Sequence, residues 1–192
     1  MLNIAVLISG GGTNLQALID NTKNGYINGE IKIVISNRKD AYGLMRAEKA
    51  GIEALYINPL EFTTQEEYNS KILEELEKRN VKLVVLAGYL KILSKEFIEK
   101  YRDRIINIHP SLLPDFGGKG YYGEKVHKAV LESGIKTTGA TVHFVDEGTD
   151  TGEIILQETV EIREDDTVES LKARVLEVEH RLLVEAVGML CK

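Results

Sequence analysis

The chain opens with Leu2-Asn3-Ile4-Ala5-Val6-Leu7-Ile8-Ser9-Gly10-Gly11-Gly12-Thr13-Asn14, and this stretch decides the fold. The run from Leu2 to Ile8 is nearly continuous and apolar, which is typical of a strand buried on both faces of a sheet. Glycines then release the backbone into a tight turn, after which Leu15, Leu18 and Ile19 recur at helical spacing. The order of strand, glycine loop and helix predicts the first unit of an α/β fold.

The same alternation continues through the first 110 residues. Helix starts are marked by caps, because Thr64-Gln65-Glu66-Glu67 has the form of a capping box and Ser94 precedes another helical pattern. We predict strands near 31–35, 54–57, 83–87 and 105–108, and helices near 42–50, 65–79 and 94–101. Alternating strands and helices predict right-handed βαβ units, and therefore a Rossmann-like α/β fold with a mainly parallel sheet flanked by helices.

The pattern changes after residue 110. A segment rich in glycine, Gly117–Gly123, precedes a helix near 124–133, and strands near 138–145 and 153–162 follow. We expect these two C-terminal strands to be antiparallel. A long C-terminal helix over about 167–190 is predicted by one apolar stripe, formed by Val168, Leu171, Val175, Val178, Leu182 and Ala186. Since no internal repeat or linker interrupts the chain, we predict a single domain over residues 1–192.

Composition and charge argue against several classes of protein. Of the 192 residues, 43% are hydrophobic and 28% are charged, as in a soluble protein with one core. The apolar stretches are too short to span a bilayer and no leader pattern precedes them, so we expect a cytoplasmic protein without a membrane partner. The net charge of −6 argues against nucleic-acid binding through a basic surface. Cys191 is the only cysteine, which rules out a disulfide framework and a cysteine metal site.

A polar pair interrupts the apolar run at 105–108. Asn107 and His109 stand two residues apart, so their side chains share one face of a strand, and Pro110 then ends that strand. An amide that can donate to a developing oxyanion, beside an imidazole that moves a proton near neutral pH, is suited to acyl-group transfer without a Ser or Cys nucleophile. Taken alone, the pair is also compatible with two hydrogen-bonded loop residues.

The first glycine loop is suited to binding a phosphate group. Free backbone amides and the dipole of the following helix favour an anion, and Thr13 and Asn14 add side-chain donors. A dinucleotide loop is not indicated, because Leu15 stands in place of the third glycine and Ser36-Asn37-Arg38 stands in place of the acid. The alternative is a structural turn without a ligand.

An acidic turn, Asp146-Glu147-Gly148-Thr149-Asp150-Thr151-Gly152, follows the strand near 138–145. A carboxylate that faces His109 would favour the protonated imidazole and raise its pKa. We interpret His143 as a packed or supporting histidine, and we expect structural roles for His127 and His180 on their helices. No pair of histidines has the HExxH spacing, so no metal site is predicted.

Four segments of the chain resemble, in order and spacing, the phosphoribosylglycinamide formyltransferase family. They are Ser9 through Gln16, Leu86 through Leu93, Asn107 through Pro114, and Thr141 through Gly152. The resemblance implies transfer of the formyl group of 10-formyltetrahydrofolate to the amine of glycinamide ribonucleotide, in de novo purine (IMP) biosynthesis. It implies small-molecule substrates, no metal, a phosphate-binding half at 1–110, and a folate-binding and catalytic half at 111–192.

The resemblance also implies a catalytic trio of Asn107, His109 and Asp150, in which Asp150 raises the pKa of His109. In such a reaction the glycinamide amine attacks the formyl carbon, and Asn107 and protonated His109 stabilise the oxyanion. A proton then leaves the amine and reaches the departing folate nitrogen.

Binding residues are carried over in the same way. The resemblance implies that Gly12, Thr13 and Asn14 hold the substrate phosphate, and that Glu179 serves the amine end of the substrate. It implies that the folate donor, 10-formyltetrahydrofolate, is bound by Gln65, Leu90, Lys91, Ile92, Leu93, Asn107, Asp146, Glu147, Gly148, Thr149 and Asp150.

Two residues depart from the family pattern. Gln65 and Lys91 stand where some members have arginine, and neither residue can make the bidentate contact of a guanidinium group.

The segment Gly117–Gly123 is richer in glycine than the family pattern, and we interpret it as a mobile loop that orders over the substrate.

Three functions are alternatives to formyl transfer to glycinamide ribonucleotide. A formyltetrahydrofolate hydrolase would use the same trio with water as the acceptor, but would be expected to carry an N-terminal regulatory module. A methionyl-tRNA formyltransferase would lack this glycine loop and carry a tRNA-binding domain. A non-catalytic nucleotide-binding or folate-binding module would use the glycine loop alone. The sequence leaves open whether the chain is a monomer or a homodimer.

Overall fold

A single seven-stranded sheet runs through the computed structural model, which describes residues 1–192. The strands are β1 (Leu2–Ile8), β2 (Gly29–Ser36), β3 (Glu53–Tyr56), β4 (Leu83–Leu86), β5 (Ile105–His109), β6 (Thr137–Phe144) and β7 (Ile154–Glu161). The helices are α1 (Thr13–Lys23), α2 (Tyr42–Lys49), α3 (Gln65–Lys78), α4 (Lys95–Lys100), α5 (Glu124–Ser133) and α6 (Val168–Leu190), with a short 3-10 helix at Pro59–Glu61.

The strand order is β3-β2-β1-β4-β5-β6-β7. Strands β1 to β5 pair in parallel, whereas β6 pairs antiparallel with both β5 and β7. This confirms the predicted α/β class with a mainly parallel sheet, antiparallel C-terminal strands and a long C-terminal helix. Where the sequence predicted the bounds of an element, they lie within two residues of the observed ones.

The order of the strands reverses at β1, which lies between β2 and β4. In open parallel sheets, ligands bind outside the carboxyl ends of the strands at such a point, because the connections on its two sides run to opposite faces. The glycine loop follows β1, the segment Gly88–Leu93 follows β4, and Asn107 and His109 end β5. The topology therefore brings three of the predicted functional segments to one edge of the sheet.

Two hydrophobic cores cover the two faces of the sheet. Side chains alternate along β1, so that Ile4, Val6 and Ile8 face one core while Ala5 and Leu7 face the other. Helices α1, α2, α5 and α6 pack on the first face, and α3 and α4 pack on the second. Burial on both faces explains why β1 has no polar alternation.

The predicted helix caps are formed. Thr64 Oγ1 accepts a hydrogen bond from the Glu67 amide, and the Glu67 carboxylate accepts one from the Thr64 amide, which completes the capping box. Ser94 Oγ accepts a hydrogen bond from the Phe97 amide at the start of α4.

None of the helices combines the length and the apolar character needed to cross a membrane.

Gly152 lets the acidic turn pass close to β6, and this gives a test of the fold. A Cβ atom at this position would overlap the carbonyl oxygen of Phe144, so the turn would have to move. We expect Gly152→Ala to lower the free energy of unfolding by about 1–3 kcal/mol, as overpacking does elsewhere. Urea denaturation measures this, with Gly10→Ala as the control because a Cβ there meets no atom within 4 Å. Equal stability of the two variants would contradict the packing.

Candidate active site

The antiparallel pairing of β5 with β6 sets Asn107 opposite His143. The Nδ2 atom of Asn107 lies 3.1 Å from Nε2 of His143, and Nδ1 of His143 lies 2.8 Å from the carbonyl oxygen of Phe144. A carbonyl only accepts, so Nδ1 of His143 carries the ring proton and Nε2 accepts from the Asn107 amide. His143 is buried and orients Asn107, which leaves the second Nδ2 hydrogen of that amide free.

The structure brings the predicted trio together. Nδ1 of His109 lies 3.6 Å from one carboxylate oxygen of Asp150, and the other oxygen lies 3.6 Å from Nε2 of His143. The backbone amide of Gly118 donates to Asp150 at 3.0 Å. On its other side, Nε2 of His109 donates to the carbonyl oxygen of Phe116 at 2.8 Å. One carboxylate therefore faces both imidazoles.

Two opposing influences set the pKa of His109, namely burial and the Asp150 carboxylate. Burial lowers the pKa of His109 below its ordinary value, and this outweighs the Asp150 carboxylate, which acts in the raising direction. The carboxylate thus acts on the pKa of His109 in the predicted direction, but burial has the larger effect, because only 4% of His109 is exposed and the imidazolium would lose most of its hydration. Burial alone would raise the pKa of Asp150, but the facing imidazoles of His143 and His109 and the Gly118 amide lower it overall.

A hydrogen-bonded turn after β5 holds His109 in place. Thr141 Oγ1 donates to the Ser111 carbonyl at 2.7 Å and accepts from the Leu113 amide at 3.1 Å. Gln157 on β7 donates to the Leu113 carbonyl at 3.0 Å. The antiparallel strands thus fix the turn that follows His109. Sequence reasoning missed Thr141 and Gln157, because nothing in the local pattern shows which turn they meet.

A cleft of about 620 Å³ opens beside the trio. It is lined by Asn107, His109 and Asp150. Three segments complete the lining, namely Leu90–Leu93, Gly118–Gly123 and Asp146–Thr149. The predicted folate residues therefore share one cleft, with the exception of Gln65, which does not line it. Gln65 instead donates to the Ile92 carbonyl at 2.5 Å and so supports the lining segment. No group of His, Cys, Asp or Glu side chains is arranged to hold a metal ion.

The glycine-rich loop forms one wall of this cleft. Gly118, Gly120 and Gly123 have backbone φ angles of 89°, 93° and 55°, which residues other than glycine rarely adopt. Tyr121 packs edge-on against Phe116, with ring centroids 6.0 Å apart. Phe116 also accepts the His109 hydrogen bond, so the loop and His109 share a neighbour. The mobility of this loop stays a prediction.

The glycine loop after β1 is the predicted phosphate site, and the structure gives its surroundings. Gly12 has a left-handed φ of 72°, and it packs so closely on α2 that a Cβ would overlap Gly43. Asn14 Nδ2 donates to Glu179 Oε2 at 2.9 Å, and Asn14 Oδ1 is buried without a hydrogen-bond partner. Glu179 is only 8% exposed, and burial raises its pKa to about 7 although the Asn14 bond acts in the opposite direction. Glu179 does not line the cleft of the trio.

Ser9 links the glycine loop to the cleft. Its hydroxyl donates to Asn37 Oδ1 at 2.6 Å and accepts from the Leu90 amide at 2.9 Å. The start of the glycine loop is thereby tied to the segment that lines the cleft. Sequence reasoning did not single out Ser9, since a serine before glycines is common in any turn.

With this geometry in view, comparison with known proteins defines the class. A family model described as Formyl transferase matches residues 2–187. The chain belongs to the formyl transferase family.

Its relatives narrow the resemblance. Phosphoribosylglycinamide formyltransferase, chloroplastic, of Arabidopsis thaliana is 44% identical over 190 residues, which are 98% of this chain and 65% of that protein. The trifunctional purine biosynthetic protein adenosine-3 of Gallus gallus is 46% identical over 188 residues, which are 98% of this chain and 18% of that protein. The crystal structure of glycinamide ribonucleotide transformylase 1 from Symbiobacterium toebii matches with a TM-score of 0.95 at 44% identity, over 100% of this chain and 88% of that one.

These similarities confirm the resemblance of the sequence to the phosphoribosylglycinamide formyltransferases. The chain spans less than two thirds of the length of the two curated relatives. The Arabidopsis relative is named as chloroplastic, so the expected cytoplasmic location stays a prediction.

The raised pKa of Glu179 predicts a pH-dependent stability. The folded protein binds this proton more tightly than the unfolded chain, so the stabilisation is complete below about pH 4.5 and is lost as the pH rises towards 7. The shift from 4.5 to about 7 corresponds to a loss of about 3 kcal/mol at most. We expect Glu179→Gln to remove this loss, measured by urea unfolding between pH 4.5 and 8. The exposed Glu177→Gln variant is the control, and an equal slope in both variants would contradict the assignment.

The pair of His109 and Asp150 gives a second prediction. Since the carboxylate is the main influence that raises the pKa of His109, Asp150→Asn should lower that pKa further than in the wild type. An NMR titration of the imidazole signals measures the change. A His109 titration that stays the same or moves to higher pH would contradict the raising effect of the carboxylate.

Proposed function

We propose that the protein transfers the formyl group of 10-formyltetrahydrofolate to the amine of glycinamide ribonucleotide, a step of purine biosynthesis. The observation that carries this proposal is the convergence of Asn107, His109 and Asp150 at one end of a cleft lined by Leu90–Leu93 and Asp146–Asp150. The names of the similar proteins agree with this activity.

The cleft would bind the formyl donor. Leu90 and Ile92 are 55% and 70% exposed at its wall, which gives an apolar surface for a flat ring system. The carboxylate-rich turn Asp146–Asp150 and the backbone of the lining segments would supply the polar contacts that orient the donor. Lys91 lies in the cleft wall and carries a charge for an anionic tail, without the planar fork of an arginine.

The glycine loop would hold the phosphate of glycinamide ribonucleotide. Backbone amides of Gly12, Thr13 and Asn14 lie at the start of α1, where the helix dipole also favours an anion. Glu179 contacts Asn14 and lies outside the cleft of the trio. We therefore assign Glu179 to the sugar next to the phosphate, in place of the amine end that the resemblance implied. The amine would then extend towards Asn107 and His109.

In the transfer, the amine nitrogen attacks the formyl carbon and the carbonyl oxygen becomes an oxyanion. The free Nδ2 hydrogen of Asn107 would donate to this oxygen, because the other hydrogen is held by His143. The Nε2 hydrogen of His109 would exchange the Phe116 carbonyl for the substrate. Asp150 faces the other ring nitrogen and would favour the imidazolium, the protonated ring from which Nε2 donates to the oxyanion. The C–N bond to the folate nitrogen then breaks, and that nitrogen receives the proton that the attacking amine loses.

We expect Asn107→Ala and His109→Ala to lower kcat by about 10²-fold or more, which is the range for one oxyanion donor or one positioned acid. Formyl transfer from 10-formyltetrahydrofolate to glycinamide ribonucleotide is followed by folate absorbance. The exposed Asn24→Ala variant serves as the control, and folding of each variant is checked by circular dichroism.

The same assay separates the other functions. Turnover without the acceptor would indicate a hydrolase. Folate binding by folded protein with no turnover would indicate a binding module. Full activity of His109→Ala would overturn the role of the trio and leave the reaction itself standing.

A further inference from the structure

Helix α2 presents an arginine to the glycine loop. The helix packs against the loop at Gly43, whose amide donates to the Gly10 carbonyl at 3.0 Å. Arg46 follows Gly43 by three residues and so lies on the same face of the helix. Arg46 Nε donates to the Gly11 carbonyl at 2.7 Å, which places a cation at the predicted phosphate site.

The guanidinium group of Arg46 is held in place by neighbouring groups, but some of its N–H donors remain without a partner. A second bond runs from Nη1 to Gln16 Oε1 at 3.3 Å, and the group stacks over the Tyr42 ring at 5.0 Å from the centroid. A guanidinium has five N–H donors, so the bonds to Gly11 and Gln16 leave three of them for another acceptor. Such a fork is pre-organised for the oxygens of a phosphate.

Arg46 has no carboxylate within 4.0 Å, although the chain carries 30 acidic residues against 24 lysines and arginines. Of the eight arginines, Arg38, Arg79, Arg174 and Arg181 each pair with an aspartate or a glutamate, and Arg46 is the unpaired one that hydrogen-bonds to the glycine loop. Arg46 is also partly buried, where its charge is less screened than at the open surface. In an acidic protein, an unpaired arginine against a glycine loop is where an anionic ligand would be attracted.

A buried acceptor atom belongs to the same loop. Asn14, at the first turn of α1, is more than nine-tenths buried and its Oδ1 has no hydrogen-bond partner. An unsatisfied buried acceptor is costly, and a hydroxyl or amine of a ligand would satisfy it. The glycine loop thus brings together the unpaired acceptor of Asn14, the backbone amides at the start of α1 and the positive charge of Arg46.

We propose that Arg46 is a further substrate-binding residue, whose guanidinium contacts the phosphate group held by the glycine loop. This inference rests on the proposed function, which places that phosphate at Gly12–Asn14. The backbone amides orient the phosphate as dipoles, and Arg46 supplies the positive charge that the amides lack. The bond from Nε to the Gly11 carbonyl holds the guanidinium group against the loop.

The experiment compares Arg46→Gln with Lys49→Gln, which removes the same charge one turn further along α2, and with Arg46→Lys. In Arg46→Gln we expect the KM for glycinamide ribonucleotide and the inhibition constant of inorganic phosphate to rise roughly 10-fold or more, as expected for a lost charged hydrogen bond. The KM for the folate donor and kcat should change little. Lys49→Gln should resemble the wild type, and Arg46→Lys should lie between the two.

Two results would overturn the inference. One is equal KM and inhibition constants for Arg46→Gln and Lys49→Gln. The other is an Arg46→Lys variant as impaired as Arg46→Gln, because the guanidinium would then act only by shaping the loop.

A thermal-shift titration with inorganic phosphate detects binding to the glycine loop through the rise in melting temperature, without any turnover. Phosphate stabilisation that is present in the wild type and lost in Arg46→Gln supports the inference even if no formyl transfer is observed. Equal stabilisation of both proteins overturns it, while turnover that depends on glycinamide ribonucleotide would still support the proposed function.

Discussion

The pairing of β5 with β6 is the constraint on which the site depends. Because the two strands run antiparallel, Asn107 meets His143 and His109 meets Thr141 across the ladder. His143 then sets the direction of the Asn107 amide, and Thr141 fastens the turn that follows His109. A shift of the register by one residue would turn the two side chains of the shifted strand to the opposite face and so break both pairs. The positions of Asn107 and His109 are thus set by a strand pair rather than by a loop.

Burial acts in the same way on two ionisable residues of the candidate site. It lowers the pKa of His109 and raises that of Glu179 to about 7, so in both residues it favours the uncharged form. By contrast, the contacts of Asp150 with the two facing imidazoles and the Gly118 amide favour its ionised form. A bound phosphate or a developing oxyanion would add charge to this partly buried environment, where interactions are less screened than in water. The site is therefore suited to respond to ligand charge.

Much of the fold was predictable because its signals are local. The capping box at Thr64, the cap at Ser94 and the apolar stripe of α6 each depend on neighbours within a few residues. The position of the glycine loop and of Asn107 at strand ends followed in the same way. Arg46, Thr141 and Gln157 gave no such signal. Each acts on a segment that is distant in sequence, and an arginine or a glutamine on an amphipathic element is ordinarily exposed to solvent.

The sequence by itself determined the class of fold, the bounds of its elements and the segments that carry polar residues at strand ends, because hydrophobic periodicity and caps are short-range properties. The tertiary structure decided which carboxylate faces His109, that burial outweighs this carboxylate in setting the pKa, and that Glu179 meets Asn14 outside the cleft. Those outcomes depend on distances between elements and on the exclusion of water. Neither quantity exists until the sheet has assembled and its helices have packed.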